Sequence, residues 1–153
     1  MIRVRECMDP NPSSILPRDT LKQAVEIMLS KEHDGIVVVD ENMRPLGVIT
    51  LAYLLRGFVP EHVERLSEAL IGELEEVNAR AFFGATSGLF LVADFFRTEI
   101  NAVALDDSLP LAAAEMERQR LDFLPVVDKS RLAGVIRRRD IMRVFFDIPK
   151  DSV

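Results

Sequence analysis

Two stretches of the sequence place groups that bind anions and hydroxyls at the same spacing. Residues 134–140 read GVIRRRD, and residues 47–53 read GVITLAY. In each, an apolar run typical of a strand is followed directly by a helical pattern, so free backbone N–H groups and the positive end of the helix dipole converge at a spot that suits a phosphate. Thr50 adds a hydroxyl donor in one stretch, whereas Arg137 adds a guanidinium that pairs with phosphate oxygens in the other. Asp140 offers two acceptor oxygens one helical turn further on.

The same residues also have interpretations that involve no ligand. Acidic residues such as Asp140 favour the first turn of a helix because of the helix dipole alone, and Thr50 is a preferred N-cap residue. The run of arginines at residues 137–139, together with Arg143, is typical of a solvated helix face or of a surface that docks an acidic partner. The sequence alone leaves these alternatives open.

Composition and charge exclude several classes of function. The 153 residues, 48% of them hydrophobic and 29% charged, suffice for one compact domain or for two small halves that share a core. A net charge of -6 disfavours broad binding to nucleic acid. The single Cys7 excludes an internal disulfide and a CxxC metal site, and the 2 histidines exclude an all-histidine metal cage. No general base, nucleophile and metal cluster occur together, so we predict no catalytic residue, no metal site and no enzymatic activity.

The sequence has no segment typical of membrane insertion or export. Its nearest candidate, residues 82–96, is broken by Gly84, Gly88 and Asp94 and falls short of the roughly 20 apolar residues that cross a bilayer. The N-terminal residues MIRVRECMDP lack the apolar core of a signal peptide. We therefore expect no membrane span and a cytoplasmic location.

The chain contains two copies of one pattern. An offset of 88 residues superposes identical residues such as Val4 and Val92, and after a one-residue deletion an offset of 87 superposes others such as Gly47 and Gly134. Each copy gives a short extended stretch, an amphipathic helix, two apolar runs around a polar turn, and a second helix. The deletion falls in the polar turn, where changes of length are tolerated best. The sequence therefore predicts an α+β fold of two β-α-β-β-α repeats that share one interior.

Local signals support these elements. Thr20 and Gln23 have the spacing of a capping box at the start of the first amphipathic helix. Asp40 and Asp128 follow predicted strands and are expected to hold turns. We expect Cys7 to pack as a small apolar side chain. Three methionines at helical spacing are expected in the core: Met28, Met116 and Met142.

These patterns divide the chain into two repeats with a long connection. The first repeat spans residues 4–58, the linker 59–91, the second repeat 92–146 and a C-terminal tail 147–153. Apolar residues of the linker recur at spacings of three and four, which predicts a helix of about 20 residues with an acidic outer face. We expect its apolar face to pack on the repeats or across a dimer.

The two copies resemble a tandem pair of CBS domains, the unit also called a Bateman module, here as a stand-alone pair. The resemblance is carried by LPVVD at 124–128, GVI at 134–136 and Asp140, with VVVD at 37–40 and GVIT at 47–50 in the first copy. It implies that the copies pack as a pseudo-twofold pair, that the pair often forms a homodimer, and that adenosine nucleotides bind in clefts between the copies. It further implies regulation of a partner protein, which the sequence does not identify, rather than catalysis.

The family signature is glycine, two apolar residues, threonine or serine, two further residues and aspartate. The first copy keeps Thr50 and has Tyr53 in place of the aspartate, whereas the second keeps Asp140 and has Arg137 in place of the hydroxyl. The resemblance therefore implies a ligand in the second-copy cleft, with Asp140 on the ribose, Arg137 on the phosphate and Arg139 as a weaker phosphate contact. The residues expected to line its base slot are Val103, Leu124 and Pro125. The first-copy cleft is expected to be weak or empty and comprises Ile15, Ile36, Thr50 and Tyr53.

Two functions remain open on the sequence. The first is a regulatory sensor that binds an adenine nucleotide (AMP, ADP or ATP), requires no cofactor and acts on a partner protein. The second is a protein-interaction or dimerisation module whose nucleotide sites have decayed. The split signature and the long linker favour the second.

Overall fold

A computed structural model describes residues 1–58 and 88–152, apart from the side chains of residues 57 and 58. The predicted linker helix lies outside the described residues. The elements of the first repeat are α1 (Val4–Cys7), β1 (Ser14–Ile15), α2 (Leu21–Ser30), β2 (Gly35–Val39), β3 (Pro45–Thr50) and α3 (Leu51–Phe58). Those of the second are a 3-10 turn (Val92–Asp94), β4 (Val103–Ala104), α4 (Leu109–Gln119), β5 (Phe123–Asp128), β6 (Arg131–Arg137) and α5 (Arg138–Phe145), with a final 3-10 turn at Lys150–Ser152.

The strands of each repeat form a three-stranded sheet with the same topology. The first strand runs parallel to the second, and the second runs antiparallel to the third, in the orders β1-β2-β3 and β4-β5-β6. The predicted α+β fold with two β-α-β-β-α repeats is therefore confirmed. Within the described ranges, no helix has both the length and the apolar character needed to cross a bilayer.

Helix α2 begins at the predicted capping box. The Oγ1 of Thr20 accepts a hydrogen bond from the N–H of Gln23 at 3.2 Å, and the Oε1 of Gln23 accepts one from the N–H of Thr20 at 2.9 Å. In the second repeat, the hydroxyl of Ser108 accepts from the N–H of Leu111 at 3.4 Å. Both amphipathic helices are thus started by a side chain that satisfies a backbone donor left free in the first turn.

The two hairpins absorb the one-residue difference between the repeats. In the first, Asp40 holds the turn through its Oδ1, which accepts from the N–H groups of Asn42 and Arg44 at 2.8 and 2.9 Å. In the second, Lys129 and Ser130 have φ values of 48° and 69°, as in a two-residue type I′ turn. The register of the strands is unchanged, because the third strand meets the second at equivalent residues in both repeats.

The first segment of each repeat lies on the other repeat. The N–H of Val4 donates to the carbonyl of Asp107 at 2.9 Å, and the equivalent N–H of Val92 donates to the carbonyl of Asp19 at 2.9 Å. Both valines are fully buried. Val4 joins the core cluster of the second repeat, and Val92 joins that of the first. Each repeat therefore needs a segment of the other to complete its core.

Two glycines let these first segments, residues 4–9 and 92–97, cross a strand of the other repeat. They are called the exchanged segments below. Asp9 and Arg97 lie at equivalent positions of the two segments, and each forms two backbone hydrogen bonds of 2.8 to 3.0 Å with β6 or β3. A Cβ on Gly134 would lie 2.6 Å from the carbonyl oxygen of Asp9, and a Cβ on Gly47 would overlap the carbonyl oxygen of Arg97. The glycines of the repeated Gly-Val-Ile strings are thus required first for packing between the repeats.

The core confirms most of the expected apolar positions and corrects one. Cys7, Met28 and Met116 are buried, as predicted. Met142 is 49% exposed, so its placement in the core was wrong. Its neighbour Ile141 is the buried apolar residue of α5, and successive helical residues point about 100° apart, so both cannot face the same core.

We predict that Gly47→Ala destabilises the fold, because its methyl group would overlap a backbone carbonyl that two hydrogen bonds hold in place. Overpacking of this kind costs about 1–3 kcal/mol, which lowers the melting temperature of a chain of this length by about 2–12 °C. Gly88→Ala is the matched control, because its added Cβ meets no atom of the described residues within 4 Å. Thermal unfolding followed by circular dichroism measures both. Equal melting temperatures for the two variants would show that the crossing tolerates a side chain.

Candidate functional site

Two clefts flank a contact between equivalent positions of the repeats. Gly35 begins β2 and Phe123 begins β5, 88 residues later. The Phe123 ring packs directly on Gly35, where a Cβ would overlap ring carbon Cε1. The preceding residues, Asp34 and Asp122, accept hydrogen bonds through their carbonyls from the first N–H groups of α3 and α5, both at 2.9 Å. Strand starts and helix starts of the two repeats therefore meet around this contact.

The second-repeat cleft lies at the start of α5 and has a volume of about 260 Å³. It is lined by His33, Asp34, Gly35, Asp122, Phe123, Arg137, Arg138 and Arg139. Two of the predicted ligand residues, Arg137 and Arg139, therefore lie together in one open cleft. The first repeat supplies part of its wall, so the cleft is formed between the repeats.

The Arg137 side chain is already engaged by groups of the protein. Its Nη1 lies 3.2 Å from Oδ2 of Asp9, and its Nη2 lies 3.3 Å from Nδ1 of His33. The side chain is only 16% exposed. A guanidinium only donates, so Nδ1 of His33 must be the acceptor.

Burial and the adjacent Arg137 lower the pKa of His33 from its ordinary value. Arg139 and Lys31 lower the pKa further, whereas Asp9 raises it. His33 is therefore neutral at neutral pH, in the state that can accept from the guanidinium.

Asp140 holds the start of α5. Its Oδ2 accepts a hydrogen bond from the N–H of Arg137 at 2.9 Å, and the residue is only 8% exposed. Arg137 has no acceptor to return the bond, so only half of a capping box is formed. The expected helix-stabilising role of Asp140 is thus confirmed, and contact with a ribose stays a prediction.

The other arginines of the cleft are more open. Arg138 is exposed and pairs with Asp122 and Glu117, both at 3.0 Å. Arg139 is exposed at the rim. The residues predicted to line a base slot are buried in the core behind the cleft: Val103, Leu124 and Pro125. The apolar wall that the cleft presents is instead Phe123 beside Gly35.

The first-repeat cleft lies at the start of α3 and has a volume of about 280 Å³. It is lined by Asp34, Val48, Thr50, Leu51, Ala52, Tyr53, Arg56, Arg97, Arg120, Leu121, Asp122 and Phe123. Thr50 acts as the predicted N-cap, because its Oγ1 accepts from the N–H of Tyr53 at 3.0 Å. The predicted Ile15 and Ile36 are buried in the core.

The two clefts differ in charge at equivalent positions. Where the second has Asp9 on its exchanged segment, the first has Arg97, whose Nη1 donates to the carbonyl of Gln119 at 2.8 Å. Where the second has Arg137 at the start of the helix, the first has Thr50. The second cleft therefore contains a cation neutralised by the protein, and the first contains a hydroxyl near an arginine.

Sequence reasoning missed several residues of these clefts. They are His33, Asp34, Arg56, Arg97, Arg120, Asp122 and Phe123, together with Asp9, which pairs with Arg137. A signal existed for Asp34 and Asp122, which are identical at the repeat offset of 88. None existed for Asp9 and Arg97, which differ between the copies and lie on segments that cross to the other repeat.

Comparison with known proteins identifies the repeats. The family model for the CBS domain matches residues 4–59 and 92–147. The glycine betaine/carnitine/choline transport ATP-binding protein OpuCA of Bacillus subtilis (strain 168) is 23% identical over 146 residues, which are 95% of this chain and 31% of that protein. The chain thus spans less than a third of the length of this relative.

Solved structures share the fold over nearly the whole chain. CBSX2 in complex with AMP has a TM-score of 0.70 and 24% identity, and the match covers 97% of this chain and 98% of that one. The CBS domain pair of protein MJ0100, in complex with 5′-methylthioadenosine and S-adenosyl-L-methionine, has a TM-score of 0.69 and 17% identity, with coverages of 97% and 99%. At these identities the likeness shows the fold.

We predict that His33 makes the stability of the protein depend on pH. Because its folded pKa is lowered, the unfolded state binds the proton first, and stability falls as the pH drops below the ordinary value of 6.5. His33→Asn keeps an acceptor near the position of Nδ1 and removes the titration. The free energy of unfolding, measured in urea at pH 7.5 and pH 5.5, should therefore change less in this variant than in the wild type.

The control is Ser30→Asn, which introduces the same side chain at an exposed position of α2 and leaves His33 in place. This variant should keep the pH dependence of the wild type. If instead His33→Asn retains the wild-type difference between the two pH values, His33 is not the titrating group.

Proposed function

Because the chain belongs to the CBS domain family, we propose that it is a regulatory pair that senses an adenosine nucleotide in the second-repeat cleft. The observation that carries this proposal is the arrangement at the start of α5. Three consecutive arginines line an open cleft there that also has an aromatic wall, Phe123, and Asp140 caps the helix one turn further on, outside the residues that line the cleft. A nucleotide combines the matching groups: an anionic phosphate, a ribose and a flat base.

Structures of the same fold support the ligand class. Two of them are complexes, one with AMP and the other with 5′-methylthioadenosine and S-adenosyl-L-methionine, and all three molecules contain adenosine. For this chain we propose AMP, ADP or ATP, because the arginines of the cleft match a phosphate group. No cofactor is needed for such binding.

The roles follow from the positions of the side chains. Asp140 would accept hydrogen bonds from the ribose hydroxyls with the capacity left after its bond to the N–H of Arg137. Arg139 at the rim and Arg137 inside the cleft would contact the phosphate. The base would lie against Phe123, the apolar wall that the cleft presents, whereas the predicted slot residues Val103, Leu124 and Pro125 are buried and would contact it only if the cleft opened further. Because Tyr53 carries no carboxylate, we propose weaker binding or none in the first-repeat cleft.

A second candidate is a protein-interaction module with decayed nucleotide sites. The observation that favours it is that Asp9 and His33 already satisfy Arg137 without any ligand. In both candidates the protein regulates or assembles with a partner protein in the cytoplasm, binds no nucleic acid and catalyses no reaction.

We also propose that the protein is a homodimer. The end of α5 and the residues after it expose a cluster of large apolar side chains: Met142, Phe145, Phe146 and Ile148. Contiguous apolar surface of this kind marks interaction sites on soluble domains. A second copy would bury the same cluster from both sides in a twofold interface.

We predict that Asp140→Asn weakens binding of AMP, because a charge-assisted hydrogen bond to the ribose is lost. Such bonds contribute about 1.5–3 kcal/mol, which corresponds to roughly 10- to 100-fold in the dissociation constant. Asparagine retains an acceptor for the N–H of Arg137, so α5 keeps its cap. Isothermal titration calorimetry with AMP, ADP, ATP and a GMP control measures the effect.

The matched control is Tyr53→Phe in the first-repeat cleft, which should bind as the wild type does. Equal loss in both variants would place the ligand elsewhere. Failure of every adenosine ligand to bind refolded wild-type protein would favour the interaction module.

We predict that Phe145→Ser converts a dimer into a monomer, because it removes a large apolar group from the proposed interface. Sedimentation velocity at micromolar concentration distinguishes the two masses. Leu29→Ser changes an equally exposed apolar residue on α2, outside the cluster, and should leave the dimer intact. A wild-type protein that sediments as a monomer contradicts the proposal.

A further inference from the structure

The side chain of Asp9 forms an ion pair with Arg137, one of the residues that line the second-repeat cleft. Its Oδ2 lies 3.2 Å from Nη1 of Arg137. Its other oxygen, Oδ1, accepts a hydrogen bond from the N–H of Asn11 at 2.9 Å. The carboxylate is thus held by one bond from its own turn and one from the cleft arginine.

The backbone of Asp9 is also held in place by hydrogen bonds. The N–H and carbonyl of Asp9 bond to Val135 at 2.8 and 3.0 Å. Gly134 lies directly beneath, where a Cβ would approach the Asp9 carbonyl oxygen to 2.6 Å. The backbone position of Asp9 is therefore set by the crossing of the exchanged segment, which keeps its side chain within reach of Arg137.

Among the charged groups around Arg137, Asp9 is the one that competes directly with an anion for the guanidinium. Neutral His33 contacts the other guanidinium nitrogen, Nη2. Arg138 forms ion pairs with Asp122 and Glu117 and takes no part in the pair between Asp9 and Arg137. At the equivalent position of the first repeat stands Arg97, which would attract an anion rather than compete with it.

We infer that Asp9 is a specificity-determining residue of the second-repeat cleft: it neutralises Arg137, so the phosphate of a ligand reaches Arg137 only by displacing this carboxylate. The inference rests on the proposed function for the identity of the natural ligand, but not for the competition itself. Ligands that lack a phosphate bind without this cost. The difference between the affinities of the cleft for AMP and for adenosine is therefore smaller than three arginines alone would produce.

The test compares inorganic phosphate and adenosine as separate probes of the full-length protein. In Asp9→Asn, which keeps an acceptor for Asn11, the apparent dissociation constant for phosphate should fall on the order of 10-fold, as expected when one charged competitor is removed. Thermal unfolding at matched ionic strength, with phosphate titrated against chloride, measures this. The affinity for adenosine should be unchanged.

Two further variants separate the competition from indirect effects. Asp106→Asn removes the same charge from the exposed carboxylate that pairs with Arg5 of the exchanged segment, and should not change phosphate binding. Combining Asp9→Asn with Arg137→Gln should abolish the gain. Asp9→Ala should also bind phosphate more tightly than the wild type. This second variant reveals the effect even if the asparagine side chain itself disturbs the cleft.

The outcomes distinguish this inference from the proposed function. If Asp9→Asn and Asp9→Ala bind phosphate no better than the wild type, the inference is wrong, whether or not adenosine binds. If phosphate binding improves as expected while no variant binds adenosine or AMP, the inference stands and the nucleotide-sensing function fails.

Discussion

The fold depends on the exchange of the first segments between the two repeats. Val4 and Val92 are fully buried in cores that the opposite repeat builds, and each segment is fixed by backbone hydrogen bonds to the opposite third strand. The crossing is possible only because Gly47 and Gly134 leave room for a backbone carbonyl. An isolated repeat of this size would lack both a closed core and one side of each cleft. Cooperative folding and the clefts therefore share one structural cause.

The same exchange makes two related clefts chemically different. Helix starts, strand starts and backbone contacts obey the repeat symmetry, as the equal hydrogen bonds to the carbonyls of Asp34 and Asp122 show. The differences come from substitutions at equivalent positions: aspartate against arginine on the exchanged segments, and arginine against threonine at the helix starts. Asp9 and Arg137 form a pair, whereas Arg97 and Thr50 do not compensate each other in charge. The two clefts of one symmetric fold therefore differ in charge. Asp9 neutralises Arg137 in the second-repeat cleft, whereas the first-repeat cleft is cationic.

The fold was predictable from the sequence because it depends on local patterns and on repetition. Thr20 with Gln23 marked a helix start, and the one-residue deletion fell in a turn that Lys129 and Ser130 shorten. The contacts of the Arg137 side chain were not predictable, because its ion pair with Asp9 joins residues that lie 128 positions apart in the sequence. Helical spacing also misplaced Met142, since periodicity identifies an apolar stripe but not whether a partner covers it. The Val103, Leu124 and Pro125 side chains are buried because the strands that carry them are covered by helices and by the other repeat.

A ligand that engages Arg137 would act on the exchanged segment as well as on the cleft. Asp9 is bonded to β6 through its backbone and to Asn11 through its side chain, and the segment before it completes the core of the second repeat at Val4. Displacing the Asp9 carboxylate removes one of the bonds that fix this segment, and by linkage any change that loosens the segment must in turn alter the affinity for the anion. The ion pair between Asp9 and Arg137 therefore links the proposed site to the exchanged segment. That arrangement would give this CBS pair a physical route from ligand occupancy to a change at its surface.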